Sequence, residues 1–125
     1  MLNNLWRWRG HAAAAVLVCL TGCATQPRAL YEWGNYESVV YDYLKGTGVA
    51  PQDQIGSLQQ TMQQAAASGL KLPPGFNAQL GLLYLKAGQP GQAQAAFRAE
   101  EVQFPESRPY MEFLLAKMDQ HQGGN

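Results

Sequence analysis

Glycine and proline cut this chain into helix-sized pieces, and no other feature constrains its fold as tightly. Gly46 and Gly48 precede Pro51, Gly69 precedes Pro73-Pro74, Gly88 precedes Pro90, and Pro105 precedes Ser107. Between these breaks apolar residues recur at helical spacing, while β-type alternation is nearly absent. Tyr36, Val39, Val40, Tyr43 and Leu44 form the stripe of a first helix that Gly46 and Gly48 stop. Pro51 opens a second helix with Ile55, Leu58, Met62, Ala65 and Ala66 on one face and glutamines over most of the rest. Pro73-Pro74 open a third, with Phe76, Leu80, Leu83, Tyr84 and Ala87; Pro90 opens a fourth, with Ala93, Ala96, Phe97 and Val102. Ser107 reads as the N-cap of a fifth helix over 108–120, with Tyr110, Phe113, Leu114 and Met118. Residues 122–125 are expected to form a disordered tail. Short connections make successive helices antiparallel neighbours. The expected fold is therefore all-α, a stack of helical hairpins with about five helices over 30–121.

The first 29 residues carry an address rather than a fold. Arg7 and Arg9 are followed by an apolar run, Ala12 to Leu20, which is too short to span a bilayer as a helix. Leu20-Thr21-Gly22-Cys23 then resembles a bacterial lipobox. That resemblance implies that 1–22 is a cleaved signal peptide and that Cys23 is the lipidated first residue of the mature protein. Several acyl chains together give firm anchoring where one would bind only marginally. Ala24 at the following position, by resemblance to lipoprotein sorting, implies an outer-membrane address with the domain facing the periplasm. The linker 24–29 reaches about 20 Å when extended, so the domain is expected close to the membrane.

Composition narrows the chemistry. Removing Arg7 and Arg9 from nine Lys/Arg leaves seven against nine Asp/Glu, a formal charge of −2. No basic stripe is available for nucleic acid. Cys19 leaves with the signal and Cys23 is acylated, so no thiol remains for a disulfide, and stability must come from packing. His121 stands alone in the mature chain, which leaves no metal-ligating set, and no cofactor motif is present.

The third and fourth helices match a named pattern. A tetratricopeptide repeat reads W-x2-L-G-x2-Y, then A-x3-F, then P. Leu80, Gly81, Tyr84, Ala93, Phe97 and Pro105 fall on that spacing, within a repeat spanning 74–107. The fifth helix resembles a half-repeat acting as a cap. Two residues depart from the pattern: Asn77 stands in place of Trp, and Glu100 in place of a small Ala. Glu100 is expected to face the fifth helix and to accept a hydrogen bond from Tyr110 or from the amides at that helix's start. In the first hairpin Trp33-Gly34 resembles the Leu-Gly pair, with a longer connection, since Gly34 and Gly81 lie 47 residues apart.

A wider resemblance covers Leu30 to Leu115. Leu30-Tyr31-Glu32-Trp33-Gly34-Asn35-Tyr36, Leu72-Pro73-Pro74-Gly75-Phe76, Leu80-Gly81-Leu82-Leu83-Tyr84 and Phe104-Pro105-Glu106-Ser107 carry it. The stretch resembles a family of small Gram-negative lipoproteins with a domain of unknown function. Its members look like companions of two other lipoproteins, one of them related to the curli secretion channel component. The resemblance implies a place among other envelope lipoproteins and implies no reaction.

The functional candidates follow from this frame. Trp33, Tyr41, Gln59 and Gln63 are the candidate partner surface, because aromatic rings can stack on apolar knobs and the glutamine face is uncharged. The bland reading of the same residues is core filling for the aromatics and a solvated face for the glutamines. Glu100, Glu101 and Glu106 cluster in sequence, but glycoside cleavage needs a positioned acid in a cleft, and the other motifs of such enzymes are missing. No catalytic residue is assigned. The expected function is that of a membrane-anchored adaptor in a lipoprotein assembly. The alternative is an accessory regulator of peptidoglycan synthesis or remodelling.

Overall fold

A computed structural model describes residues 27–122. The expected signal peptide, Cys23 and residues 123–125 lie outside the described residues. Five helices follow one another: α1 (Tyr36–Lys45), α2 (Pro51–Ser68), α3 (Phe76–Lys86), α4 (Pro90–Gln103) and α5 (Arg108–Gln122). A 3-10 turn, Pro105–Ser107, leads into α5. The chain is all-α, and the described residues contain no strand, only an isolated parallel bridge between Tyr31 and Lys71. Among the described residues, no helix is long and apolar enough to cross a membrane.

The punctuation acts largely where the sequence places it. Pro51 and Pro90 sit at the first helical turn, where a missing N–H costs nothing. Gly46 and Gly69 close α1 and α2 in the left-handed conformation, with φ of 63° and 66°. Three boundaries differ from expectation. Pro73-Pro74 do not open α3; they lead into a turn, and the helix begins at Phe76 behind Gly75, whose φ is 85°. Ser107 does not cap α5 with its oxygen; it lies in the 3-10 turn and its hydroxyl donates to the Phe104 carbonyl at 2.7 Å. The last helix continues through Gln122, two residues past its expected end and onto the first residue of the expected tail.

Each helix contacts the next in sequence, and α3 with α4 forms the most extensively packed pair. Leu80, Leu83, Tyr84, Ala93 and Phe97 are buried there, together with Phe76 from the start of α3. Met111 and Met118 of α5 close the core on one side, and Val39, Ile55 and Leu58 on the other. Each fully buried Leu or Phe in such a core stabilises by about 1.5–3 kcal/mol, which matters in a domain without a disulfide. The α1 and α3 starts meet through the rings of Tyr36 and Phe76, 5.4 Å apart, and Lys86 caps the Tyr43 ring at 4.3 Å.

Several stripe residues are not core. Leu44 is 76% and Val102 81% exposed, and Tyr110 and Phe113 stack on each other on the outer side of α5. Met62 and Ala66 are also exposed. Polar residues hold the inward places instead. Thr61 is buried on α2 beside Leu58 and Ala65, and Glu100 is buried on α4 beside Ala96 and Phe97. Apolar stripes wider than the covered face leave some members in solvent, and here the inward register runs through the polar residues.

The two hairpins repeat in a register that the Leu-Gly spacing does not reveal. Positions 31–36 and 71–76 pass through the same succession of bridge, irregular pair, turn and helix start. Tyr36 thus corresponds to Phe76, and Pro51 to Pro90. Trp33-Gly34 corresponds to Pro73-Pro74 and not to Leu80-Gly81. The reason is conformational: Gly34 adopts φ 42° in a turn ahead of α1, which an interior helical residue such as Gly81 cannot share.

Candidate functional site

The first helix of each hairpin starts without a cap of its own; neither Asn35 nor Gly75 supplies a side-chain cap. Exposed N–H groups at a helix start require acceptors. In both hairpins the second helix supplies one. Thr61 of α2 accepts the Asn35 amide at 3.1 Å and donates its proton to the Ser57 carbonyl at 3.2 Å. Glu100 of α4 takes the Gly75 amide on one oxygen at 2.6 Å, and the Asn77 and Ala78 amides on the other at 3.1 and 3.4 Å. Thr61 and Glu100 occupy the same place along α2 and α4, counted from Pro51 and Pro90.

This overturns the expected partner of Glu100. The carboxylate faces the start of α3, not α5, and Tyr110 is exposed. Because α4 folds back along α3, its C-terminal turns return to the N-terminus of α3, where amides and helix dipole both favour a negative charge. Asn77, the other departure from the repeat, belongs to the same arrangement: its side-chain amide donates to Gln103 Oε1 at 3.1 Å. One level further on, burial first and the Glu100 charge second push the Tyr36 phenol above its ordinary pKa.

These capped starts bring the two lead-in segments side by side. The Glu32 amide donates to the Lys71 carbonyl at 2.8 Å, and Pro73 is fully buried behind them. Gly34 is required at its position: an added Cβ would lie 2.4 Å from Thr61 Oγ1. Beside the Tyr31–Lys71 bridge an open cleft of about 440 Å³ lies between the hairpins. Met62, Ala65 and Ala66 of α2 form one wall, Leu70 and Leu72 the floor of the lead-in, and Gln103 and Phe104 the far side. The Tyr31 and Phe104 rings frame it, 6.5 Å apart. The lining is apolar apart from Lys71 and Gln103, which suits an apolar side chain carried on a polar backbone. Among the described residues, no group of three or more His, Cys, Asp or Glu could hold a metal ion.

The residues singled out from sequence are distributed differently. Trp33 lies next to the cleft, its ring 6.4 Å from Tyr31 and 6.1 Å from Tyr36. Tyr41 pairs instead with Lys45 further along α1. Gln59 donates to the Tyr84 hydroxyl at 3.3 Å, and Gln63 is exposed one turn beyond it. Of the residues that fall on the tetratricopeptide spacing, Leu80, Gly81, Tyr84, Ala93 and Phe97 are buried between α3 and α4, and Pro105 begins the 3-10 turn. The cleft is not legible in the sequence, because its walls come from distant segments: Met62 reads as a core residue, and Tyr31 and Phe104 belong to different hairpins.

No curated protein and no solved structure matches the chain. A family described as Domain of unknown function (DUF4810) matches residues 30–114, from the first lead-in segment into α5. That span takes in both capped hairpins and every wall of the cleft, and the chain belongs to this family.

Proposed function

We propose that this protein is a lipid-anchored envelope adaptor whose tetratricopeptide-like hairpins hold another lipoprotein of the outer membrane. The lipobox ending at Cys23 supports the anchor, and the spacing of Leu80, Gly81, Tyr84, Ala93, Phe97 and Pro105 supports the repeat. The observation that carries the binding role is the apolar, aromatic-framed cleft between the two hairpins. Buried aromatic and aliphatic anchors supply most of the free energy of protein–protein contacts, and a cleft of this kind receives one. Both oxygens of Glu100 are engaged with backbone amides, so its role is to hold the cleft's frame rather than to transfer protons.

Ala66→Arg tests the reading. Ala66 is an exposed cleft residue, and arginine is a good helix former, so the fold tolerates the change while the cleft fills. Lipoproteins that co-purify with the wild-type protein from gently solubilised envelopes should fall by about tenfold with the variant, as expected when a hot-spot pocket is lost. Equal recovery with both proteins contradicts the adaptor. Sedimentation with purified sacculi, unaffected by Ala66→Arg, points to the cell-wall accessory role instead.

A further inference from the structure

A second hollow, about 460 Å³, adjoins the cleft and shares Tyr31, Leu70 and Lys71 with it; Arg28, Ala29, Leu30 and Gly69 complete its rim. This end of the domain is chemically unlike a solvated surface. Leu30 is 75% and Trp33 46% exposed, and the Trp33 ring leans on Tyr31. Arg28 and Lys71 supply positive charge beside them, while the nearby Glu32 carboxylate is turned onto the Gly34 amide at 3.1 Å. An exposed leucine, an indole edge and two cations around the point where the chain enters the fold are the residues favoured at a bilayer interface.

The length of the tether identifies the occupant. On the lipid-anchor reading, residues 24–29 join Cys23 to this rim and reach only about 20 Å when extended. A face at the root of so short a tether stays within reach of the lipid headgroups. We propose that Leu30, Tyr31 and Trp33, flanked by Arg28 and Lys71, rest on an anionic bilayer surface and fix the orientation of the domain. The inference depends on the anchor reading, and it adds a defined membrane-facing end. The cleft beside it then opens along the bilayer, where other lipid-anchored proteins are held.

Trp33 reports on this directly. The chain has three tryptophans, and Trp6 and Trp8 lie in the expected signal peptide. Full-length protein carrying Trp6→Phe and Trp8→Phe, purified from membranes, has Trp33 as its single indole. It is reconstituted into phosphatidylglycerol-containing vesicles with plain or brominated acyl chains. The expected result is a shift of Trp33 emission to shorter wavelength and about twofold quenching by the brominated lipid, as for an interfacial indole. Arg28→Glu with Lys71→Glu should weaken both effects. Emission that is the same in plain and brominated vesicles, with acylation of Cys23 verified by intact mass, overturns the membrane-facing end alone. An intact mass without acyl chains overturns the anchor reading and this inference with it.

Discussion

Glu100→Ala should lower stability by about 3 kcal/mol, because it strips the acceptor from three amides at the start of α3, two of them in buried residues. For a domain of this size that corresponds to a melting temperature lower by roughly 15 °C. The sign is informative, because a small residue is usual at the corresponding position of the tetratricopeptide pattern, and that pattern alone would rate alanine as harmless. Glu100→Gln keeps one acceptor oxygen but turns an amide group toward N–H donors, so it should cost about half as much. Amide exchange at Gly75, Asn77 and Ala78 should accelerate in both variants. An unchanged or raised melting temperature for Glu100→Ala would contradict capping across the hairpin.

The second large effect is at Gly81. Glycine inside a helix ordinarily costs up to about 1 kcal/mol relative to alanine. Here an added Cβ would lie 2.4 Å from Cε1 and 2.6 Å from Cδ1 of the Phe97 ring. Phe97 is fully buried between α3 and α4 and has no solvent to retreat into. Overpacking of this kind costs about 1–3 kcal/mol or more, so Gly81→Ala should destabilise by about 2 kcal/mol despite its better helix propensity. Gly56 is the internal control. It lies within α2 with nothing within 4 Å of an added Cβ, so Gly56→Ala should stabilise by up to about 1 kcal/mol. Thermal melts of the two variants moving in opposite directions would match this account; two upward shifts would refute the close approach at Gly81.

Local rules explain which parts of the fold are legible in the chain. Proline at the first turn and glycine after the last act within a few residues, so α2 and α4 begin, and α1 and α2 end, where the punctuation falls. The starts of α1 and α3 are different, because their acceptors come from Thr61 and Glu100, more than twenty residues later. No window on the sequence around either start contains its partner. The same distance hides the repeat register. Trp33-Gly34 resembles Leu80-Gly81 as letters, yet Gly34 turns the chain while Gly81 accommodates a ring. Periodicity also overstates the core, because it cannot say how much of a stripe a neighbour covers. Leu44 and Val102 follow the pattern and remain in solvent, whereas Thr61 and Glu100 break it and are buried.

The site is less legible than the fold for a related reason. Trp33 stands out by its chemistry, and it lies where the lead-in segments meet. Tyr41, Gln59 and Gln63 stand out by residue type alone, and they lie elsewhere on α1 and α2. The cleft needs the parallel contact of Tyr31 with Lys71 before its walls face each other. That contact depends in turn on the two helix starts being tied down by Thr61 and Glu100. These two buried polar residues, which interrupt the apolar stripes of their helices, thus position the apolar surface on which the proposed function rests.

Photo-crosslinking from position 62 in living cells tests the adaptor most directly, because Met62 lines the cleft and is exposed. A photoreactive amino acid there should trap an envelope lipoprotein as a discrete adduct, and Ala66→Arg in the same chain should abolish it. The same probe at position 102, on the exposed outer side of α4, should trap none. Adducts from position 102 but not from position 62, or adducts at 62 that persist with Ala66→Arg, would contradict the cleft as the partner's seat.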